Sequence, residues 1–222
     1  MVTKHNISHR LKLAVGTMIL TILIGIPLGV LAAVRQYSKL DMISTFTALL
    51  LAAAPSFWLA LLLVLWLSVG LGWLPATGSE SFKHLIMPGI CAGVNNASLV
   101  TRMTRSSMVD VIRADYLRTA RAKGVSERNV ILKHALKNAL IPIITIVGSQ
   151  FSILMGGTTV LEAVFAFNGT GNFIVSCIRN FEQIAATTSI IMTCIFTAVV
   201  LLCVDIVYAF VDPRVKARYT KK

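Results

Sequence analysis

Few side chains in this 222-residue sequence are spaced for covalent or metal chemistry. Of the four histidines, His5, His9, His84 and His134, only His5 and His9 could share a helix face, and two ligands on a terminal segment make no metal site. Cys91, Cys177, Cys194 and Cys203 form no C-x-x-C pair, and each lies in or beside an apolar run where a thiol acts as a small hydrophobe. There is no H-E-x-x-H or Ser-His pairing for hydrolysis, and no G-x-x-x-x-G-K-[ST] loop to cradle nucleotide phosphates. The expectation is a chain with no catalytic residue, no metal ligand and no bound cofactor. What the sequence does concentrate is positive charge. Arg102, Arg105, Arg113, Arg118, Arg121, Lys123, Arg128, Lys133 and Lys137 fall in one stretch around Gly124, where they could meet anionic headgroups or a partner protein.

The rest of the chain must position that stretch. It is 56% hydrophobic and only 14% charged, with mean hydropathy +0.78, which argues against a soluble fold. A net charge of +12 would suit nucleic acid only if it covered a wet surface, and here the basic residues sit in short segments between apolar runs. Five segments meet or approach the roughly 20 apolar residues a membrane helix needs. They are 13–34 with Gly25, Pro27 and Gly29; 43–70 with Pro55 as an expected kink; 86–103; 136–160 with Pro142, Gly148, Gly156 and Gly157; and 187–211. The third is the weakest, because Asn95 and Asn96 fall at its centre and Pro88 and Gly89 mark its start.

The positive-inside rule then sets orientation: the basic stretch, Arg35, Lys39 and the tail with Arg214, Lys216, Arg218, Lys221 and Lys222 are read as cytoplasmic. The expected fold is all-α, a polytopic membrane bundle of five spans, N-terminus out and C-terminus in. It divides into an external tail over 1–12, a transmembrane domain over 13–211 with a cytoplasmic loop at about 106–135, and a cytoplasmic tail over 212–222. An external N-terminus carrying Lys4, Arg10 and Lys12 with no preceding span leads to the expectation of a further upstream span. The alternative, a signal peptide over the first 34 residues, has too long an apolar run.

Within the loop, Val109, Ile112, Tyr116 and Ala120 recur at three- and four-residue steps, an apolar stripe beside arginines. Lys123 and Gly124 read as a helix stop, and Ser126 with Glu127 as the start of the next helix. A headgroup-resting connector accounts for the charge. The small residues Ala120, Ala122 and Gly124, where a partner could approach the backbone, favour a docking element instead.

The run YLRTARAKGVSERNVILKHALKNALIP resembles the cytoplasmic loop motif of ABC importer permeases of the dipeptide, oligopeptide and nickel family. Further matches follow in order: IGIPLGVLAA (24–33), PSFW (55–58), LGWLPATG (71–78), TRSSM (104–108), VFAFNGTG (164–171) and VDIVYAFVDPRV (204–215). They resemble the first of the family's two permease types. Where that type has Phe-x-Trp-Pro-Gly, this chain has Phe165, Ala166, Phe167, Asn168 and Gly169, another turn-prone run. The type also begins with a span and an extracellular segment that this sequence lacks.

The resemblance implies an ABC type I importer permease in the cytoplasmic (inner) membrane of a prokaryote, with a coupling helix in its cytoplasmic loop. Its cargo would be di- or oligopeptides or nickel complexes. The implied partners are a second homologous permease, two ABC ATPase subunits that use ATP, an extracytoplasmic substrate-binding protein and membrane lipid, with no nucleic acid. It also implies an ATPase-docking role for Arg118, Thr119, Ala120, Arg121, Ala122, Lys123, Gly124, Val125 and Ser126. Asn95, Asn96, Gln150 and Ser152 are candidates for a translocation path, with interhelical hydrogen bonding as the alternative. Glu162, Phe165, Asn168, Gly169 and Gly171 are candidates for an outer gate or binding-protein seat, with a plain surface loop as the alternative. Asp205, near the end of the last span, is expected to pair with a nearby base or reach the interface. A secondary transporter without an ATPase is the rival function, but no internal repeat supports it.

Overall fold

The computed structural model describes residues 2–78, 81–156, 158–167 and 169–211, with side chains described outside 2–10, 205 and 207–211. The expectations placed on Asn168, Gly157, the side chain of Asp205 and the tail 212–222 lie outside the described residues. Among those described, every regular element is helical: α1 (Val2–Val34), α2 (Lys39–Ala53), α3 (Ser56–Leu63), α4 (Phe82–Ile112), α5 (Asp115–Ala122), α6 (Glu127–Asn129), α7 (Leu136–Gly156), α8 (Thr159–Val164), α9 (Thr170–Arg179) and α10 (Gln183–Val211). Wide π-helical turns extend α3 over Val64–Gly70 and join α6 to α7 over Val130–Ala135. The segment 1–12, read above as a tail, is helical from Val2 and continuous with α1.

Leu11–Val34, Glu127–Gly156 and Gln183–Val204 are each long and apolar enough to cross a bilayer. A fourth span arises if α2 and the extended α3 are taken together. Pro55 does more than kink that segment. With extended backbone (φ −61°, ψ 133°) it stands ahead of α3 and supplies no N–H to continue α2, so one helix stops and another begins. The third expected span, 86–103, lies inside α4, which at 31 residues has length enough; what this helix lacks is apolarity, since Asn95, Asn96, Arg102 and Arg105 all fall within it. Nor does Pro88 open α4, which begins at Phe82 and runs through it.

The chain forms two compact units. Of the described residues, one comprises those within 2–20, 54–95 and 149–204; the other comprises those within 21–53, 96–148 and 205–211. In the second, α1 and α4 meet through Gly25 and Gly29, four residues apart. A Cβ at Gly29 would lie 2.7 Å from the Thr101 carbonyl oxygen, and one at Gly25 would lie 2.9 Å from Val100. These glycines therefore permit backbone contact that any side chain would block, the use small residues have in membrane helices. The core of this unit gathers Ala33, Val100, Met108, Leu117, Val130, Ala135, Ala139 and Ile143.

In the first unit α10 is apolar on every side, and none of its most apolar window is buried within this chain. A helix in that state faces lipid or another subunit.

Candidate functional site

The basic loop is built from the core outward. At Ala114 the backbone is extended (φ −71°, ψ 142°), which ends α4 and starts α5. The stripe Val109, Ile112, Tyr116, Ala120 expected along one helix is therefore divided between two. The break also changes which side chain points inward: Leu117 is fully buried and Tyr116 is exposed. Tyr116 still ties the loop down, because its hydroxyl accepts a 2.7 Å hydrogen bond from the Asn138 amide on α7.

Gly124 ends α5 in the left-handed region (φ 77°). The Val125 N–H donates to the Ala120 carbonyl (3.3 Å) and the Gly124 N–H to that of Arg121 (2.9 Å), a Schellman closure. Its usual apolar partners, Ala120 and Val125, pack against the core around Leu117 and Val130. The next helix starts where the sequence suggested, but Ser126 contributes only backbone: its carbonyl accepts from Asn129 and Val130, and its hydroxyl makes no cap.

Glu127 reaches back across the turn instead. Its carboxylate accepts from Arg121 Nε (3.0 Å) and Nη2 (2.8 Å), a bidentate clamp over the Gly124 break. Both residues lie in the loop, ahead of the apolar run that begins at Leu136. Hydrogen bonding from Arg121 holds the Glu127 carboxyl below its ordinary value, and the same bond raises the Arg121 guanidinium. The nine residues assigned to docking thus separate into two sets. Arg118, Thr119, Ala122, Lys123, Gly124 and Ser126 are exposed, whereas Ala120, Arg121 and Val125 are half-buried and hold the loop's shape.

The other candidate turn, in the first unit, is closed. Glu162 on α8 is 1% exposed, and its carboxylate accepts from the Asn172 N–H in the first turn of α9 (2.9 Å) and from the Thr158 hydroxyl (3.3 Å). A carboxylate at that position satisfies an orphan donor and meets the positive end of the helix. A Cβ at Gly169 would overlap the Glu162 carboxyl, and one at Gly171 would collide with Thr159 and Glu162. Phe165 and Phe167 are also buried, and the Phe165 carbonyl accepts from the Gly78 N–H at 3.0 Å, so the LGWLPATG and VFAFNGTG segments meet. The structure brings Glu162, Phe165, Gly169 and Gly171 into one packed turn.

Asn95 Nδ2 donates to the Ala54 carbonyl (3.3 Å) at the break before Pro55, while Gln150 and Ser152 are buried and Asn96 is half-buried.

Sequence reasoning passed over one pair entirely. Ser38-x-x-Asp41 is a capping-box spacing, and its serine Oγ accepts from the Asp41 N–H (3.3 Å). The Asp41 carboxylate in turn accepts from the Tyr37 N–H (2.9 Å) and from Arg105 Nε (2.5 Å) and Nη2 (2.7 Å) on α4.

A family model described as binding-protein-dependent transport system inner membrane component matches residues 25–217. The chain is 40% identical to an oligopeptide transport system permease protein of Bacillus subtilis over 223 residues, 95% of this chain and 70% of that one. It is 38% identical to a dipeptide transport system permease protein of Alkalihalophilus pseudofirmus (93% and 70% covered). A glutathione transport system permease protein of Salmonella choleraesuis is 39% identical (93% and 67% covered). The chain belongs to this family. The permease also shares the fold of a chain of the methionine ABC transporter MetNI in an inward-facing conformation, with TM-score 0.79 at 17% identity and 95% and 96% of the two chains covered. It is thus the membrane subunit of an ATP-driven importer and not an enzyme; ATP is hydrolysed on a separate subunit. A carrier working without an ATPase, the rival reading, gives way to that membership. The permease is an inner-membrane component with several apolar helices, of a family that works with a partner permease, ATPases and a binding protein.

Proposed function

We propose that this permease moves short peptides inward across a prokaryotic cytoplasmic membrane, taking its mechanical input at the turn around Gly124. The observation that carries the reading is the shape of that turn: an exposed left-handed glycine with nothing within 4 Å of where a Cβ would sit, held by the Arg121–Glu127 clamp above a buried base. A rigid knob with bare backbone at its tip suits insertion into a groove of an ATPase. Arg118, Thr119, Ala122, Lys123, Gly124 and Ser126 would touch the ATPase, and Ala120, Arg121 and Val125 would keep the knob in shape. Closure of two ATPases would then displace the helices that carry the loop, a rigid-body switch.

The packed turn around Glu162 is the proposed outer gate or seat of the binding protein. Asn95, Asn96, Gln150 and Ser152 are the proposed polar contribution to the path, Asn95 also tying α4 to the Ala54 carbonyl. Five spans with an external tail 1–12 and a cytoplasmic tail 212–222 remain the proposed topology, with α4 crossing where another permease copy covers its polar residues. Peptide is the proposed cargo because the relatives above are named for oligopeptide, dipeptide and glutathione transport; nickel complexes have no such support.

The test is Gly124→Asp in the assembled transporter. The expected result is normal membrane insertion with ATP hydrolysis uncoupled from peptide uptake. Wild-type uptake by this variant would remove the docking assignment.

A further inference from the structure

The ion pair between Asp41 and Arg105 stands apart from both turns, and its surroundings say what it is for. Helix α2 is anchored very sparsely: Asp41 and Ala48 are its buried residues, whereas Met42, Ile43, Phe46, Leu49 and Leu50 are exposed. Beside it, an open pocket of about 370 Å³ is lined by Thr45, Leu99, Arg102, Met103, Arg105 and Ile146. The start of α2 is therefore held by a polar anchor rather than by close packing.

That anchor is fully engaged. The Asp41 side chain is 6% exposed and takes both forks of the guanidinium, while the Tyr37 N–H and Thr45 hydroxyl (3.4 Å) complete its acceptors. One carboxylate thus holds the Tyr37 N–H of the Arg35–Ser38 turn and grips α4, while Ser38 Oγ caps α2. A second contact lies just past the end of α4, where Arg113 Nη2 donates to Gln36 Oε1 at 3.2 Å. From Arg105 to the end of α4 at Ile112 the helix rises about 10 Å, and Arg113 follows it. Two attachments that far apart prevent the α1–α2 turn from pivoting on α4.

Helix α4 ends at Ile112 and leads directly into α5 and the Gly124 knob. We propose that Arg105 and Asp41 are positioning residues for transport: they make the α1–α2 turn move as one body with the end of α4, so that a displacement at the docking loop reaches α2. The proposal rests on the docking role of the Gly124 turn. Neither residue touches cargo or nucleotide.

The test uses the full transporter with its ATPase, binding protein and second permease. Spin labels are placed at the exposed Lys39→Cys and Asp110→Cys positions, with Cys194 and Cys203 replaced by serine. The distance is read without nucleotide and in the ATP-trapped state. With Arg105 present, one narrow distance should persist in both states. Arg105→Gln should broaden it or make it depend on nucleotide, and should lower transport per ATP of a trialanine probe by about tenfold. The exchange Asp41→Arg with Arg105→Asp should restore part of both.

An unchanged narrow distance in Arg105→Gln would overturn the proposal, as would a broad distance already present with Arg105 in place. Should Arg105→Gln fail to assemble, Arg105→Lys keeps the charge without the fork; it should give intermediate broadening, and a wild-type distance there is again fatal. Capture of the ATPase is scored separately with Gly124→Asp. Normal capture and uptake in that variant removes the docking role, whatever the labels on α2 and α4 report.

Discussion

Around Gly124 and around Gly169 to Gly171 the chain turns after a short helix, and glycine serves different ends at the two places. At Gly124 there is ample room, and only the backbone angle (φ 77°) calls for glycine. At Gly169 the angle is ordinary (φ −98°), and what is missing is space, because the Glu162 carboxyl occupies the place of a Cβ. The charged groups differ in the same way. Glu162 is buried and used on a helix N-terminus, whereas Glu127 is exposed and used on one arginine. One turn is built inward, with its shape fixed by packing; the other is built outward, with its shape fixed by backbone and a surface clamp. An element that must hold a fixed shape within its own subunit suits the first plan, and one that must fit another protein suits the second.

The contrast is broken most readily at the packed turn. Gly169→Ala forces a methyl onto a buried carboxyl, and overpacking of that kind costs about 1–3 kcal/mol. A clear drop in the unfolding midpoint in detergent is expected, together with loss of uptake. Glu162→Ala alone removes a buried cap, at about 1–2 kcal/mol. If the collision is the cause, Gly169→Ala should cost much less in the Glu162→Ala background, and a double-mutant cycle measures the difference. Simple additivity would mean that the glycine is required for another reason.

How much of this was legible beforehand depends on what kind of force shapes each part. The stop at Lys123–Gly124 could be read because a left-handed C-cap has a local residue signature, and α1 and α10 could be read because length and apolarity suffice for a span. The inward side of a membrane helix could not, because lipid is as apolar as a protein core and hydrophobicity no longer marks the face. Hence Gly25 and Gly29 could be placed in the first span but not on a face of it, although their four-residue spacing was the signal for a close crossing. In the loop, periodicity carried across Ala114 chose Tyr116, and one break in the backbone gave the buried place to Leu117 instead. Glu162 and Asp41 act through partners 10 and 64 residues away, Asn172 and Arg105. For Asp41 the serine three residues earlier was a usable clue; for Glu162 only the crowd of glycines after it hinted at a buried neighbour.

The outward turn should tolerate more. Gly124→Ala meets no neighbour, so its cost is the left-handed conformation alone, about 1–2 kcal/mol. Gly124→Asn should recover most of that loss, because asparagine enters this region more easily. The two variants, compared by thermal unfolding of the purified permease, separate conformation from contact. If Asn and Ala are equally damaging to stability, the space around Gly124 is not as open as it stands here. If both are stable while only the larger side chain weakens ATPase capture, the space is filled by the partner.

The smallest effect belongs to the clamp over that turn. An exposed ion pair contributes at most a few tenths of a kcal/mol once solvent and salt screen it, so Glu127→Gln should leave global unfolding unchanged and loosen only the loop. Pairing with Arg121 holds the Glu127 carboxyl below its ordinary value of 4.5. A carboxyl depressed in the folded state stabilises fully above its unfolded value and loses that contribution as pH falls through the folded one. Hydrogen exchange of the 121–129 backbone, corrected for the intrinsic pH dependence of exchange, should therefore be faster in Glu127→Gln than in the parent at neutral pH. The gap should close below the carboxylate range, where the parent has lost its charge too. No gap at neutral pH would mean that the loop is held by the backbone closure at Gly124 and not by Arg121, and would leave the Gly124 turn with one support rather than two.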